Sequence, residues 1–186
     1  MKKKQVFHHT VAKTLWASLR ARPDLLTTLS FLTCKVTAPD EDDYLKLMRM
    51  LCYIQDTIGL VLTLGIDESR TTKWWVDASF ATRHKMRSQT AGTMSMGRGS
   101  VYSISRKLKL NTTSSTEAEL VGASDVMPQI LWTRQLLLSQ SVEGINHILF
   151  QDNESAILLQ KNGSGSSSRR TRHINIRYFF VKDRVD

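Results

Sequence analysis

Three acidic residues stand where a carboxylate is costly unless it has a task. Asp77 interrupts the apolar run Trp74-Trp75-Val76, and Asp152 closes the run Ile148-Leu149-Phe150. A carboxylate placed in or beside a sheet core costs several kcal/mol unless it is paired or binds metal. Between the two lies Thr113-Ser114-Ser115-Thr116-Glu117-Ala118-Glu119-Leu120. Ser114 and Glu117 have capping-box spacing, which gives Glu117 a structural task at a helix N-terminus. Glu119 shares a face with Ala123 and Ile130 and borders the apolar stripe through Leu120, Ala123, Met127 and Ile130, whereas Glu117 points with Val121 and Ser124. Glu119 is therefore expected to face the sheet and join Asp77 and Asp152. Asp152, beside a helix start, has a competing role as a loop cap. Three like charges this close cannot all stay ionised unaided, and divalent cations resolve the conflict. Oxygen-only ligands favour Mg2+ or Mn2+ over zinc, and a pair of such ions suits in-line phosphodiester hydrolysis.

The elements that must position this trio follow from hydrophobic period. Residues up to about Gly59 read as helices. Val11, Leu15 and Leu19, then Leu25, Leu29 and Leu32, recur at helical steps, and Arg22-Pro23 marks a restart with proline in the first turn. Asp40 is placed to cap a third helix carrying Tyr44, Leu47, Met48, Leu51 and Ile54 on one face. From Leu60 the period changes. Leu60 to Ile66, Lys73 to Ala81, Thr90 to Met96 and Ser100 to Leu108 have strand character, the last two joined by the hairpin signal Gly97-Arg98-Gly99. A long helix is expected from about Ser115 to Ser139, kinked or divided near Met127 by Pro128. A buried strand from His147 to Gln151 and a helix from about Asn153 to Lys161 follow. The plan is α/β, with a mixed sheet, flanking helices and a small helical segment in front. The expected division is a helical segment over residues 1–60 and an α/β domain over residues 61–186.

Composition points to an anionic partner. Among 186 residues, 26 Lys and Arg against 17 Asp and Glu give a net charge of +9, which favours nucleic acid. The charge is concentrated: Ala78 to Thr116 and Ser155 to Lys182 contain no acid but carry seven and six Lys or Arg, as a phosphate-tracking surface requires. Cys34 and Cys52 lack metal-ligand spacing and read as small apolar residues in a reducing compartment. His8-His9 has no metal partner at helical spacing and is expected at the surface. Trp74 and Trp75 read as sheet core. The longest apolar run, Ile58 to Ile66, is far too short to span a bilayer, and no apolar signal core follows the basic start. An intracellular chain without membrane partners is expected.

Several blocks resemble, in order, those of the copia-type LTR retrotransposon ribonuclease H domain. They are Trp75-Val76-Asp77-Ala78-Ser79-Phe80, Ser114-Ser115-Thr116-Glu117-Ala118-Glu119-Leu120, Gln151-Asp152-Asn153-Glu154-Ser155-Ala156 and the segment from Arg170-Thr171-Arg172-His173 to Val181. Upstream, Arg20-Ala21-Arg22-Pro23-Asp24 and Tyr53-Ile54-Gln55-Asp56-Thr57 resemble the thumb end of that family's reverse transcriptase. The resemblance implies a ribonuclease H-like fold, with three antiparallel strands and then a parallel fourth. It also implies Mg2+- or Mn2+-dependent hydrolysis of the RNA strand of an RNA–DNA hybrid during reverse transcription. It places the catalytic, metal-binding carboxylates on Asp77, Glu119 and Asp152, and nucleic-acid contacts on Ser115, Asn153, Arg169, Arg170 and Arg172. The implied partners are the hybrid and the rest of the Pol polyprotein, in the cytoplasm or in virus-like particles.

Two departures from the pattern stand out. Glu154 occupies a position where the family usually has Gln. The family's fourth acid lies on a helix after one further strand, and both are expected past Asp186, so that the domain reads as C-terminally truncated. The competing functional reading is a truncated Pol remnant that binds nucleic acid or a protein without cutting. An integrase-like nuclease is disfavoured, because its glutamate would follow two strand aspartates instead of standing between them.

Overall fold

A computed structural model of the chain describes residues 2–83, 86–162 and 181. The helical segment comprises α1 (Lys2–Ser18), a 3-10 turn at Pro23–Leu25, α2 (Leu26–Thr33) and α3 (Glu41–Asp56). Pro23 takes the first position of the turn, where its missing N–H costs nothing. Asp40 caps α3 as expected: it accepts from the Asp43 amide at 2.9 Å, and the Asp43 carboxylate accepts from the Asp40 amide at 3.1 Å. The apolar stripes meet in one core around Phe7, Val11, Leu29, Leu32 and Leu47. Leu19 and Met48 are exposed, against expectation. Leu19 falls past the end of α1, and on α3 it is Met50 that turns inward.

Arg22 ties the two upstream blocks together. Its guanidinium donates to Asp24 and to the Thr57 carbonyl and hydroxyl (3.2 and 2.8 Å), and lies 5.4 Å from the Tyr53 ring centre. The start of α2 and the end of α3 are therefore held by one side chain.

The strand expected over Leu60 to Ile66 reduces to β1 (Gly65–Ile66), and residues 60–64 have no regular structure. β-branched composition needs a ladder partner to become a strand, and among the described residues only the two of β4 (Gly97–Arg98) offer one. The hairpin signal there is realised. Gly99, at φ +75°, leaves no room for a side chain, since a Cβ would lie 2.1 Å from the Thr63 carbonyl.

The main sheet contains β2 (Thr71–Arg83), β3 (Arg87–Ser95), β5 (Tyr102–Lys107) and β6 (Asn146–Phe150) in the order β5-β3-β2-β6. β2, β3 and β5 pair antiparallel, and β6 runs parallel to β2 after the crossover through α4 (Ser115–Ser139). α5 (Glu154–Asn162) closes the described order. This is the mixed α/β arrangement read from the sequence, and it is consistent with a ribonuclease H-like fold.

α4 covers one face of the sheet. Trp74, Val76 and Met94 pack against Val126, Met127 and Ile130, and Val181 joins this cluster. Of the kink or division expected at Pro128, the division does not occur: one helix continues across it. Val126, Met127 and Ile130 bury on both sides of the proline, which offsets its cost of about 3 kcal/mol in a helix interior.

Alternation along β2 separates the two tryptophans. Trp74 is fully buried under α4, and its Nε1 donates to the Thr72 hydroxyl at 3.1 Å. Trp75 is not core: it is 41% exposed on the opposite face and stacks on Phe150, with ring centres 5.4 Å apart and planes at 16°. Adjacent residues of a strand cannot both face one core. Cys34 and Cys52 are also exposed, because both fall off the apolar stripes. His8 and His9 are exposed as expected.

Candidate metal centre

The site forms where two strands stop pairing. The ladder between β2 and β6 ends at Trp75↔Phe150. Asp77 and Asp152 each lie two residues beyond that pair, on the side where Trp75 and Phe150 stand. β6 ends there while β2 runs on, and Glu119, in the second turn of α4, reaches the opening beside β2 from the helix layer. One carboxylate oxygen from each of Asp77, Glu119 and Asp152 lies within 4.8 Å of the others. The structure thus brings together the trio read from the sequence.

The three are not equivalent. Only Glu119 is buried, at 5% exposure, while Asp77 and Asp152 are open to solvent. The expectation that the aspartates pay for burial is corrected: it is the helix carboxylate that pays. Its Oε1 accepts from the Ala78 amide and its Oε2 from the Gln151 side chain, each at 3.1 Å. Buried Gln160 donates to Gln151 at 2.9 Å and fixes that amide. Burial pushes the Glu119 carboxyl up to about 7, against the two hydrogen bonds and with the added repulsion of Asp77 and Asp152.

A glycine makes the approach possible. A Cβ on Gly122, one turn after Glu119, would lie 2.8 Å from the Thr90 hydroxyl and 3.3 Å from the Ala78 Cβ. That hydroxyl donates to the Asp77 carbonyl at 3.3 Å and cannot swing away freely. Gly to Ala in a helix interior ordinarily gains about 1 kcal/mol. Gly122→Ala should instead lose about 1 kcal/mol or more through overpacking, and weaken metal binding by lifting Glu119; thermal melts with and without Mg2+ check both. Sequence reasoning passed over Gly122, Gln151 and Gln160. Only the glycine left a signal, as a poor helix former inside a long helix.

The remaining expected residues fall as follows. Ser114 caps α4 by accepting from the Glu117 amide at 3.1 Å. Glu117 accepts from the amide and hydroxyl of Thr113, one residue beyond the N-cap amide that the reciprocal capping-box bond would use. Ser115 is exposed at the first turn of α4, close in sequence to Glu119. Asn153 is half-buried and caps α5, accepting from the Ala156 amide at 3.0 Å, so it carries a structural load beside Asp152. Arg169, Arg170 and Arg172 lie outside the described residues.

The donor set fits a hard divalent cation. Three carboxylates supply only oxygen, and the buried one resists ionisation until a positive charge arrives. The cluster can therefore hold a metal ion. Its linkage to pH has a definite sign. Glu119 titrates near 7 in the fold against an ordinary 4.5, so its contribution to metal-free stability is complete below about 4.5 and is lost as pH rises through about 7. Metal binding must displace that proton, so Mg2+ affinity should be about tenfold weaker at pH 6 than at pH 8. Glu119→Gln should flatten the metal-free stability profile across this range. Thermal midpoints at the two pH values, with and without Mg2+, measure both effects.

Trp75, Phe150, Asp77 and Asp152 line a groove of about 650 Å³, walled on its far side by Pro23, Leu26 and Thr27 of the helical segment. Among the described residues, no helix is long and apolar enough to cross a membrane.

No protein-family model matches the chain. It is 26% identical over 181 residues to the retrovirus-related Pol polyprotein from transposon TNT 1-94 of Nicotiana tabacum. It is also 26% identical over 167 residues to the retrovirus-related Pol polyprotein from transposon RE2 of Arabidopsis thaliana. Both of these relatives are retrovirus-related Pol polyproteins of plant transposons. These alignments take in 97% and 88% of the chain but only 13% and 11% of the polyproteins' own lengths.

Proposed function

We propose that the chain is the ribonuclease H of a copia-type LTR retrotransposon Pol polyprotein, preceded by the end of the reverse-transcriptase thumb. It hydrolyses the RNA strand of RNA–DNA hybrids during reverse transcription. The observation that carries this reading is the convergence of Asp77, Glu119 and Asp152 within 4.8 Å just past the last β2–β6 pair, in a chain similar to Pol polyproteins.

Asp77 and Asp152, exposed beside the groove, are the carboxylates that would hold Mg2+ or Mn2+ next to substrate. Glu119, fixed by the Ala78 amide and Gln151, would hold the same ions from behind. Bound there, a pair of such ions supplies an activated water and neutralises charge on the leaving oxygen. Gln151 and Gln160 keep the buried carboxylate in one orientation, so little reorganisation accompanies the reaction. Ser115, Asn153, Arg169, Arg170 and Arg172 are the proposed contacts to the hybrid, recognised by shape, phosphates and 2′-hydroxyls. The proposed partners are that hybrid and the remainder of the Pol polyprotein, and the proposed location is the cytoplasm or virus-like particles.

Digestion of labelled duplexes with Mg2+ tests the reading. The RNA strand of an RNA–DNA hybrid should be cut, while RNA–RNA and DNA–DNA duplexes of the same sequence should stay intact. Salt-sensitive binding of the hybrid without cleavage would favour the non-catalytic remnant.

A further inference from the structure

Among the described residues, a second cavity meets the groove beside the carboxylates at Asp77. It has a volume of about 620 Å³ and lies between the sheet and the helical segment. Asp77 and Thr27 are among the residues that line both cavities, so α2 stands over Asp77 where the two meet.

The chemistry of the second cavity is specific. Apart from Asp77, the polar residues that line it are Thr27, Thr28, Ser79, Thr82, Gln89 and Lys46. Lys46 is the one cation among the described residues lining either cavity. A β2 irregularity between Ser79 and Arg83 brings Ser79 and Thr82 within 2.9 Å of each other at this wall. Hydroxyls, an amide and one ammonium are the groups that contact sugar and phosphate in nucleic-acid complexes. The ammonium lies 4.7 Å from the Phe31 ring centre, so its stem is supported. Its ion-pair partner is Asp42, four residues earlier on α3, with side chains 37% and 69% exposed. Such a pair is weak and exchangeable for a phosphate.

We propose that the helical segment is part of the substrate site: Lys46, with Thr27 and Thr28, grips the sugar–phosphate backbone of the strand that runs past Asp77. This rests on the ribonuclease H reading for the identity of the strand, and on the two cavities for the grip itself. A phosphate displaces Asp42 from Lys46, and the α2 hydroxyls hold the neighbouring sugar–phosphate. Lys46 is a positioning residue for binding and takes no part in the chemistry.

The test is the affinity of the full chain for a fluorescein-labelled RNA–DNA hybrid, with Ca2+ in place of Mg2+ so that the hybrid stays intact, at several salt concentrations. Loss of one phosphate contact is worth roughly eightfold at about 0.1 M salt and lowers the salt slope by about one. Lys46→Ala should show both changes, Lys46→Arg should restore them, and Asp42→Asn, which frees the ammonium, should tighten binding. A merely structural Lys46–Asp42 pair would make both single losses neutral or both harmful. Unchanged affinity and slope in Lys46→Ala, in a protein that cuts the hybrid, overturns the grip and leaves the nuclease reading standing. The expected shifts in a protein that does not cut support the grip and overturn the nuclease reading. Absence of hybrid binding by the unsubstituted chain overturns both.

Discussion

Asp77→Asn should abolish hybrid cleavage, with a rate loss of about a thousandfold or more, while leaving the fold intact. A divalent ion at the reacting phosphate contributes several kcal/mol, and about 4 kcal/mol corresponds to a factor of a thousand. Asn is isosteric with Asp but supplies no charge to hold the cation. The side chain is exposed, so the substitution carries no packing penalty. Removing one of three like charges also relieves Glu119, whose ionisation Asp77 opposes, so the metal-free protein should be as stable as before or slightly more so. Single-turnover cleavage assays and a thermal melt of the same preparation measure the two halves of this expectation. Parallel losses of rate and stability would mean that Asp77 is structural.

The largest stability effect should come from the neighbouring strand position. Trp74→Ala removes the largest side chain that is fully buried among the described residues, from between β2 and α4. Truncation of a buried Trp costs about 3–5 kcal/mol, and the indole N–H bond to Thr72 goes with it. For a chain of this length each kcal/mol moves the midpoint by about 2–4 °C, so a fall of roughly 6–20 °C is expected. Trp75→Ala, at a position 41% exposed, should cost well under half as much. Urea titrations of the two variants side by side check the ratio. Equal losses would show that the two faces of the sheet are covered alike.

Much of this arrangement is legible in the sequence. The bounds of α4, the cap at Asp40 and the approach of Glu119 to the sheet all follow from local rules that tertiary packing did not override. Asp77 and Asp152 were found because an acid interrupting or ending an apolar strand is conspicuous. The misreadings have a common cause in partners distant along the chain. Leu60 to Ile66 has strand composition but meets a partner only at Gly65 and Ile66. Trp75 reads like Trp74 until one asks what covers each face, and α4 covers only one. Pro128 stays within one helix because packing on both sides outweighs its local cost. The Gln151–Gln160 brace on Glu119 joins residues whose spacing carries no motif. The exposure of both aspartates follows from the end of the β2–β6 ladder, which no single strand announces.

The central claim is that Asp77, Glu119 and Asp152 form one divalent-cation site. Titration calorimetry with Mg2+ at pH 8 addresses it most directly, comparing the unsubstituted chain with the triple variant Asp77→Asn, Glu119→Gln, Asp152→Asn. The unsubstituted chain should give a saturable isotherm that weakens about tenfold at pH 6, and the triple variant should give none. An isotherm shared by both proteins, or absent from both, would contradict the site.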